Sequence, residues 1–228
     1  MLVDIHVHTR PYSHCSVLAR EDLLQLATDC GLEALIVCDH DQLWPGAELA
    51  AWQRLFGQRG ILLLNGAEMA SEAGHLLVFG AQELPRHTRD PRTILDHVHA
   101  QGGVTVLAHP FRHGRLTDLA AAELAALFRP FDGIEVLNGN LTAQELQRGL
   151  RAYAELGFTA LGGSDAHSAA MVARFLTETP PLSDINDFLR AVRMGDVRPV
   201  VGPPPLSRSE AIRPAAVRSR PRARRRRY

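Results

Sequence analysis

The chain begins with Leu2-Val3-Asp4-Ile5-His6-Val7-His8, an apolar stretch that ends in two histidines separated by one residue. Successive side chains of a β-strand point to opposite faces, so His6 and His8 share a face if this stretch is a strand. Two imidazoles on one face can bind one metal ion. The stretch therefore predicts both a first strand and the beginning of a metal site.

Short apolar runs alternate with amphipathic segments along most of the chain. The runs predict strands at 2–7, 34–38, 61–65, 76–80, 104–108, 134–138 and 159–162, and the segments predict helices at about 19–30, 46–57, 91–101, 117–128, 142–156 and 183–194. Asp90 before Pro91, and Thr142 with Glu145, are helix start signals. About seven such repeats predict a parallel sheet covered on both faces, closed into a distorted barrel. The site is then expected at the carboxyl ends of the strands.

Charge is distributed unevenly between the body of the chain and its end. Residues 206–228 contain nine arginines and one acidic residue, a net charge of +8, whereas residues 1–205 carry −8. We expect 1–205 to form one folded domain and 206–228 to be a disordered Arg/Pro-rich tail. Weak contact of the tail with nucleic acid is one interpretation of its arginines, and a solvated tail is the other.

Residue composition excludes several kinds of chemistry. All 25 basic residues are arginine, so a Schiff-base lysine, a P-loop lysine and a carbamylated lysine bridging two metals are excluded. Three cysteines without C-x-x-C spacing argue against a disulfide framework. No apolar stretch approaches the roughly 20 residues that span a bilayer, and no signal-peptide pattern opens the chain, so we expect a cytoplasmic protein without membrane contact.

Imidazole and carboxylate groups recur near the ends of the predicted strands. They are His6, His8, His14, His40, Glu68, His75, His109, Asp165 and His167. Nine such groups in one barrel mouth would repel one another and lose solvation unless cations neutralised them. A set rich in histidine and free of thiolate suits Zn²⁺, Mn²⁺ or Fe²⁺, and a carboxylate such as Glu68 can bridge two ions.

The ordered motifs DIHVHT, SH, CDH, GAE, GH, AHP and GSDAH resemble the PHP (polymerase and histidinol phosphatase) superfamily over about residues 1–202. The resemblance implies an α/β fold, a distorted (β/α)7 barrel of TIM-barrel type, with up to three divalent ions. It also implies phosphoester hydrolysis by a metal-bound hydroxide at this trinuclear centre. The ligand sets that it implies are His6, His8, Glu68 and Asp165 for one ion, Glu68, His75 and His109 for a second, and His14, His40 and His167 for the third.

The expected function is that of a metal-dependent phosphatase or phosphoesterase whose substrate is a small phosphomonoester or a nucleotide. Arg112, followed by Arg115, is the candidate phosphate clamp, because a guanidinium binds phosphoryl oxygens in a bidentate manner. A surface salt bridge is the alternative role for these arginines. Asp39 is the candidate that orients a ligating imidazole, and Trp44 is a candidate for stacking on a base or ring.

Three other functions stay open at this point. The first is a nuclease-type phosphodiesterase that trims short oligonucleotides. The second is a non-catalytic accessory module associated with nucleic acid. The third and most remote is an amidohydrolase, whose binuclear members commonly use the bridging carbamylated lysine that this chain lacks.

Overall fold

The computed structural model describes residues 1–203, which form nine strands and six α-helices. The strands are β1 (Leu2–Val7), β2 (Ala34–His40), β3 (Leu62–Ser71), β4 (Gly74–Phe79), β5 (Val104–Leu107), β6 (Gly133–Asn138), β7 (Ala160–Gly163), β8 (Phe175–Glu178) and β9 (Arg198–Val201). The helices are α1 (Arg20–Asp29), α2 (Gly46–Gly57), α3 (Pro91–Ala100), α4 (Ala121–Phe128), α5 (Ala143–Leu156) and α6 (Ile185–Met194). The predicted tail, 206–228, lies outside the described residues, as does the boundary at 205.

All nine strands belong to one sheet that is nearly closed. Its order is β7-β6-β5-β4-β3-β2-β1-β8-β9. The segment after β7 returns to β1, where the His8 amide donates to the Ala166 carbonyl at 3.0 Å and Val7 bridges Ala166. The distorted barrel predicted from the sequence is confirmed.

The sheet is mixed, so the expectation of an all-parallel sheet is wrong. β4 runs antiparallel to both β3 and β5, and β8 runs antiparallel to β1 and β9. β3 and β4 form a hairpin rather than a repeat with a helix between the strands. Because β4 is reversed, its first residues lie beside the carboxyl ends of its neighbours, and Ala70 pairs with His75 there. The seven predicted strands are all present, but β8 and β9, with four residues each, lie outside that prediction.

An irregularity in β1 turns both of its histidines into the barrel. Between Asp4 and Val7 the chain advances three residues, while the partner strand advances only two, from Leu35 to Val37. Such a bulge shifts the alternation of faces by one residue. Val3 and Ile5 accordingly pack in the inner core, whereas Val7 packs in the cluster against α1.

The inner core lies at the end of the barrel opposite β1's histidines. It contains Leu77 and Phe79 of β4, and α6 packs against it through Phe188 and Leu189. The rings of Phe79 and Phe188 meet edge to face, with centroids 5.2 Å apart. Apolar packing therefore fills the lower part of the barrel, and polar residues are confined to its mouth.

The predicted helix signals are present. Asp90 accepts a hydrogen bond from the Thr93 amide at the start of α3, and Thr142 with Glu145 forms a capping box at the start of α5. Gly157 ends α5 in the left-handed conformation, with φ of 67°. None of the helices in residues 1–203 is both long and apolar enough to cross a membrane.

Gly139, directly after β6, is required by the packing of two strand ends. A Cβ there would lie 2.0 Å from the Ser164 carbonyl oxygen, whereas a Cβ on Gly57 at the end of α2 would meet nothing within 4 Å. Gly139→Ala is expected to lower the free energy of unfolding by about 1–3 kcal/mol through overpacking. Gly57→Ala, the matched control, is expected to raise it by up to about 1 kcal/mol. Urea denaturation measures both changes, and equal effects of the two substitutions would contradict the packing argument.

Candidate metal centre

Glu68 lies at the centre of a cluster of imidazoles in the barrel mouth. The residue is only 1% exposed, and its carboxylate contacts five imidazole rings. The nitrogen to oxygen distances are 3.6 Å for His6, 3.2 Å for His8, 3.0 Å for His40, 2.8 Å for His75 and 3.1 Å for His109. One buried carboxylate thus joins histidines from four strands or strand ends.

Asp165 is the second carboxylate of the cluster. Its Oδ1 lies 3.3 Å from Nε2 of His8, 3.5 Å from Nε2 of His6 and 3.5 Å from Nδ1 of His167. Its Oδ2 is buried and has no hydrogen-bond partner among the described residues. A buried carboxylate oxygen without a partner is costly, and a bound cation would satisfy it.

Three groups of side chains have ligand atoms that all lie within 4.8 Å of one another. They are His6, His8 and Glu68; Glu68, His75 and His109; and His8, His40 and His167. The second coincides with a set implied by the family resemblance, and the first is an implied set without its fourth member, Asp165. The third contains His8 in the place expected for His14.

His14 is the predicted ligand that the structure does not bring to the others. It is exposed in the loop between β1 and α1. Its neighbour Ser13 faces the cluster instead, because the Ser13 hydroxyl donates to Asp39 at 2.6 Å and accepts from the His40 amide at 3.1 Å. The loop therefore contributes a hydroxyl to the cluster's surroundings.

Two predicted ligands lie on strained backbone. His109, after β5, has φ of 31°, and Asp165, after β7, has φ of 51°. Residues with side chains rarely adopt positive φ, and such strain is concentrated at functional sites. The Asn140 side-chain amide donates to the Asp165 carbonyl at 3.0 Å and helps to hold this loop.

The two rings of β1 are each held by a partner on the far nitrogen. Nδ1 of His6 lies 3.0 Å from Glu135, which can only accept, so this nitrogen carries the proton. Nδ1 of His8 lies 3.2 Å from the Ser13 hydroxyl, whose own proton goes to Asp39. In their neutral form both rings would therefore direct the lone pairs of their Nε2 atoms inward, and these atoms lie only 3.0 Å apart. Two lone pairs at this distance require a positive charge between or beside them, either a proton or a metal ion.

Ser13 links Asp39 to the ring of His8, and the role of Asp39 in orienting a metal ligand stays a prediction. Asp39 also accepts hydrogen bonds from the Thr9 amide and hydroxyl, at 2.6 and 2.7 Å, and from the Trp44 indole at 2.7 Å. Trp44 is only 3% exposed. Its ring faces Asp39 and is not available to stack on a base.

Glu135 is the functional residue that sequence reasoning missed. It is fully buried in β6, and besides His6 it accepts from the His109 amide at 3.0 Å and the Asn138 side chain at 2.9 Å. One available signal was a glutamate inside the apolar run Ile134 to Leu137. A buried charge in such a run needs a partner, and here the partners are a ligand ring and a ligand's backbone.

The arginines lie at different distances from the cluster. Nη1 of Arg112 is 3.6 Å from Oδ2 of Asp165, and its buried Nε has no partner among residues 1–203. Arg115 is exposed and lies near Gly74 in the β3–β4 turn. Of the two predicted phosphate clamps, Arg112 is therefore the one at the edge of the cluster.

The pKa shifts in the cluster show that its buried carboxylates favour positive charge on the neighbouring rings. Burial lowers the pKa of His6, but the carboxylates of Glu135, Asp165 and Glu68 outweigh it and hold this pKa well above its usual range. Burial also lowers the pKa of His8, but hydrogen bonds to Asp165 and Glu68 outweigh burial and raise this pKa above its usual value. Burial would raise the pKa of Glu68, yet His6 and the other imidazoles hold it well below its usual range. The donor set of imidazole and carboxylate fits divalent metal ions.

Comparison with known proteins agrees with the fold and its site. A family profile described as PHP-associated matches residues 143–197. A two-domain protein from Bacteroides vulgatus, which contains a predicted PHP-like metal-dependent phosphoesterase, superposes with a TM-score of 0.70 at 19% identity over 89% of this chain. The chain is thus similar to PHP proteins in residues 143–197 and in its fold. It spans 65% of the length of that two-domain PHP protein.

Two further proteins are similar to this chain. An uncharacterized protein of Methanocaldococcus jannaschii is 24% identical over 155 residues, which are 60% of this chain and 82% of that protein. An amidohydrolase from Chromobacterium violaceum, whose structure contains sulfate and no metal, has a TM-score of 0.58 and 18% identity. That match covers 83% of this chain and 96% of the other. At these identities the two structural matches support the barrel fold.

Replacing Glu135 tests how the ring of His6 is held. Glu135→Gln keeps the shape of the side chain but removes the charge that fixes the His6 proton on Nδ1. We expect affinity for Zn²⁺ to fall by about 10–100-fold, as is typical when the partner of a ligating histidine is lost. Competition with a chromophoric chelator measures this, with Glu178→Gln, in an exposed pair with Arg198, as the control. Equal affinity in the two variants would contradict the role of Glu135.

Metal binding is expected to strengthen as pH rises. The pKa values of His6, His8 and His75 are raised, so protons occupy these rings above the pH at which histidine usually loses them, and a metal ion must displace them. In the metal-free protein this protonation stabilises the fold at low pH, and the stabilisation is lost as pH rises through the raised pKa values. The increase in Tm on adding Zn²⁺ should therefore be larger at about pH 8 than at about pH 6. A larger increase at the lower pH would contradict this sign.

Proposed function

We propose that this protein is a metal-dependent phosphoesterase, an enzyme that hydrolyses the phosphate ester of a small molecule or nucleotide. The observation that carries the proposal is the contact of one buried carboxylate, Glu68, with five imidazoles at 2.8–3.6 Å in the mouth of the barrel. The PHP-like protein from Bacteroides vulgatus supports this reaction class by its description.

The proposed ligand sets account for up to three divalent ions, Zn²⁺, Mn²⁺ or Fe²⁺. His6, His8, Glu68 and Asp165 would hold the first, and Glu68, His75 and His109 the second. His40 and His167 would hold the third, together with His8, which is near them, or with His14, which the resemblance implies. Such ions supply Lewis-acid chemistry, because they acidify water and neutralise charge on phosphoryl oxygens.

The side chains around the ligands have distinct tasks in this proposal. Glu135 and Ser13 keep protons on the far nitrogens of His6 and His8, so that both rings stay oriented toward the centre. Arg112 would bind the phosphoryl group. Its 3.6 Å approach to Asp165 is longer than a hydrogen bond, so its N–H donors remain available for phosphate oxygens. Arg115 is the second candidate for this contact.

Other functions are separated by the choice of substrate. Phosphate release from monoesters supports the proposal, whereas cleavage of short oligonucleotides alone would favour a nuclease. Cleavage of amides would favour the amidohydrolase function, although the chain has no lysine to bridge two ions. No release from any substrate by metal-loaded protein would favour the accessory module.

Removal of His75 tests the proposal directly. Loss of a side chain that supports a ligand typically costs about 10–100-fold in metal affinity or activity. His75→Ala removes a proposed ligand itself, so we expect phosphate release to fall by more than this. Elemental analysis should show less bound metal, and circular dichroism should show the fold retained, since His75 is a partly exposed residue at a strand end. His99→Ala is the matched control, because His99 also pairs with a carboxylate, Asp132, but on the outer face of the barrel. Full activity of His75→Ala would overturn the ligand set.

A further inference from the structure

The metal centre opens to solvent mainly beside β3. The side chains of His40 and His75 are 36% and 39% exposed, compared with 24% for His167 and 8% for His109. His6, His8 and Glu68 are essentially buried. His40 lies at the end of β2 and His75 at the start of β4, so the two most exposed ligands flank β3. A substrate held at the centre would extend outward on this side.

A groove of about 930 Å³ lies next to this exposed edge, and it is lined by neighbours of the candidate ligands rather than by the ligands themselves. Its floor includes Met69 and Ala70, the two residues that continue β3 beyond Glu68, and Ala70 pairs directly with His75. Asp41, the residue after His40, lines it too. Two residues of a strand span about 7 Å, so the groove starts next to the metal centre. Its volume is in the range of small-molecule sites.

The outer wall of the groove carries unpaired positive charge. This wall is the segment 82–89, in which Arg86 and Arg89 are exposed. Within residues 1–203, the arginines that form ion pairs are Arg20, Arg92, Arg112, Arg190 and Arg198. Arg86 and Arg89 are not among them, so their guanidinium groups have no carboxylate partner in this part of the chain.

The opposite wall adds a smaller positive contribution. Pro45 and Gly46 form the start of α2, where no side chain caps the first amides, and both line the groove. The start of a helix carries partial positive charge. Asp41 and Glu83 also line the groove. Asp41 follows the candidate ligand His40, whereas Glu83 lies on the same segment as Arg86 and Arg89. The two arginines outnumber that one carboxylate, so an anion is expected to bind at this segment.

We propose that this groove binds the leaving group of the substrate, and that the leaving group carries a second anionic group, a phosphate or a carboxylate, held by Arg86 and Arg89. The proposal rests on the phosphoesterase function, because the scissile phosphate is taken to lie at the metal centre. It narrows the substrate to a small molecule with two anionic groups, one at each end. Leu84 and Pro85, which line the groove between the two ends, would pack against its apolar part.

Binding of matched non-hydrolysable probes tests this proposal without catalysis. Alkylphosphonates with three to eight carbons are compared with bisphosphonates of the same alkyl length that carry a phosphonate at each end. Binding to the metal-loaded protein is measured by calorimetric titration. At least one bisphosphonate is expected to bind about tenfold or more tightly than its partner, since one charge-assisted hydrogen bond supplies such a factor. The double variant Arg86→Ala/Arg89→Ala should lose this advantage and keep its affinity for the monophosphonate.

A second double variant is the control. Arg148→Ala/Arg151→Ala removes two arginines with the same spacing from α5, which does not line the groove, and it should retain the advantage of the bisphosphonate. An advantage that is absent along the whole series, or that survives in Arg86→Ala/Arg89→Ala, would overturn the proposal. Absence of binding by either probe would overturn it too. Phosphate release is assayed separately with simple alkyl phosphates. Loss of the bisphosphonate advantage would then speak against the groove, whereas absence of phosphate release would speak against the phosphoesterase function.

Discussion

Charge compensation around the buried carboxylate of Glu68 is the constraint on which the rest of the site depends. A carboxylate without solvent is stable only if positive charge lies close to it. Five imidazoles surround it, but neutral rings would direct lone pairs toward an anion and toward one another, as the 3.0 Å separation of the His6 and His8 nitrogens illustrates. Only protons or metal ions resolve this arrangement. The shifted pKa values of the cluster express the same requirement in the metal-free protein.

Two further buried carboxylates make the arrangement of rings rigid. Glu135 on one side and Asp39 on the other never enter the groups of candidate ligands, yet each fixes the protonated nitrogen of a ring, directly or through Ser13. Asp39 is itself saturated by donors from Thr9, Ser13 and Trp44. The barrel mouth thus has an inner group of side chains that attract cations and an outer group that determines where the inner side chains point.

Much of this arrangement could be predicted from the sequence, because local periodicity encodes strands, helices and their ends. Eight of the nine predicted ligands meet in the structure. Seven of them lie toward the carboxyl ends of β1, β2, β3, β5 and β7 or just after them, and His75 joins them because it lies at the start of the reversed strand β4. The direction of β4 could not be predicted, because pairing direction depends on neighbours distant in sequence. His14 and Ser13 show the limit within loops, where the choice of which of two adjacent side chains faces inward depends on contacts with Asp39. Glu135 escaped notice because its partner, His6, is 129 residues away.

The candidate ligand sets differ in how far apart their members lie in sequence, and the hairpin of β3 and β4 is the reason. Glu68 and His75 lie seven residues apart on one hairpin, so two of the ligands in one set are brought together by a local turn. His6 and Asp165 are far apart in sequence and meet only when the segment after β7 returns to β1. Closing so long a loop costs chain entropy and is slow relative to hairpin formation. Two members of the hairpin set are therefore close together early in folding. The set that joins His6 to Asp165 exists only after the barrel has closed, and any ion bound there holds β1 to the segment after β7.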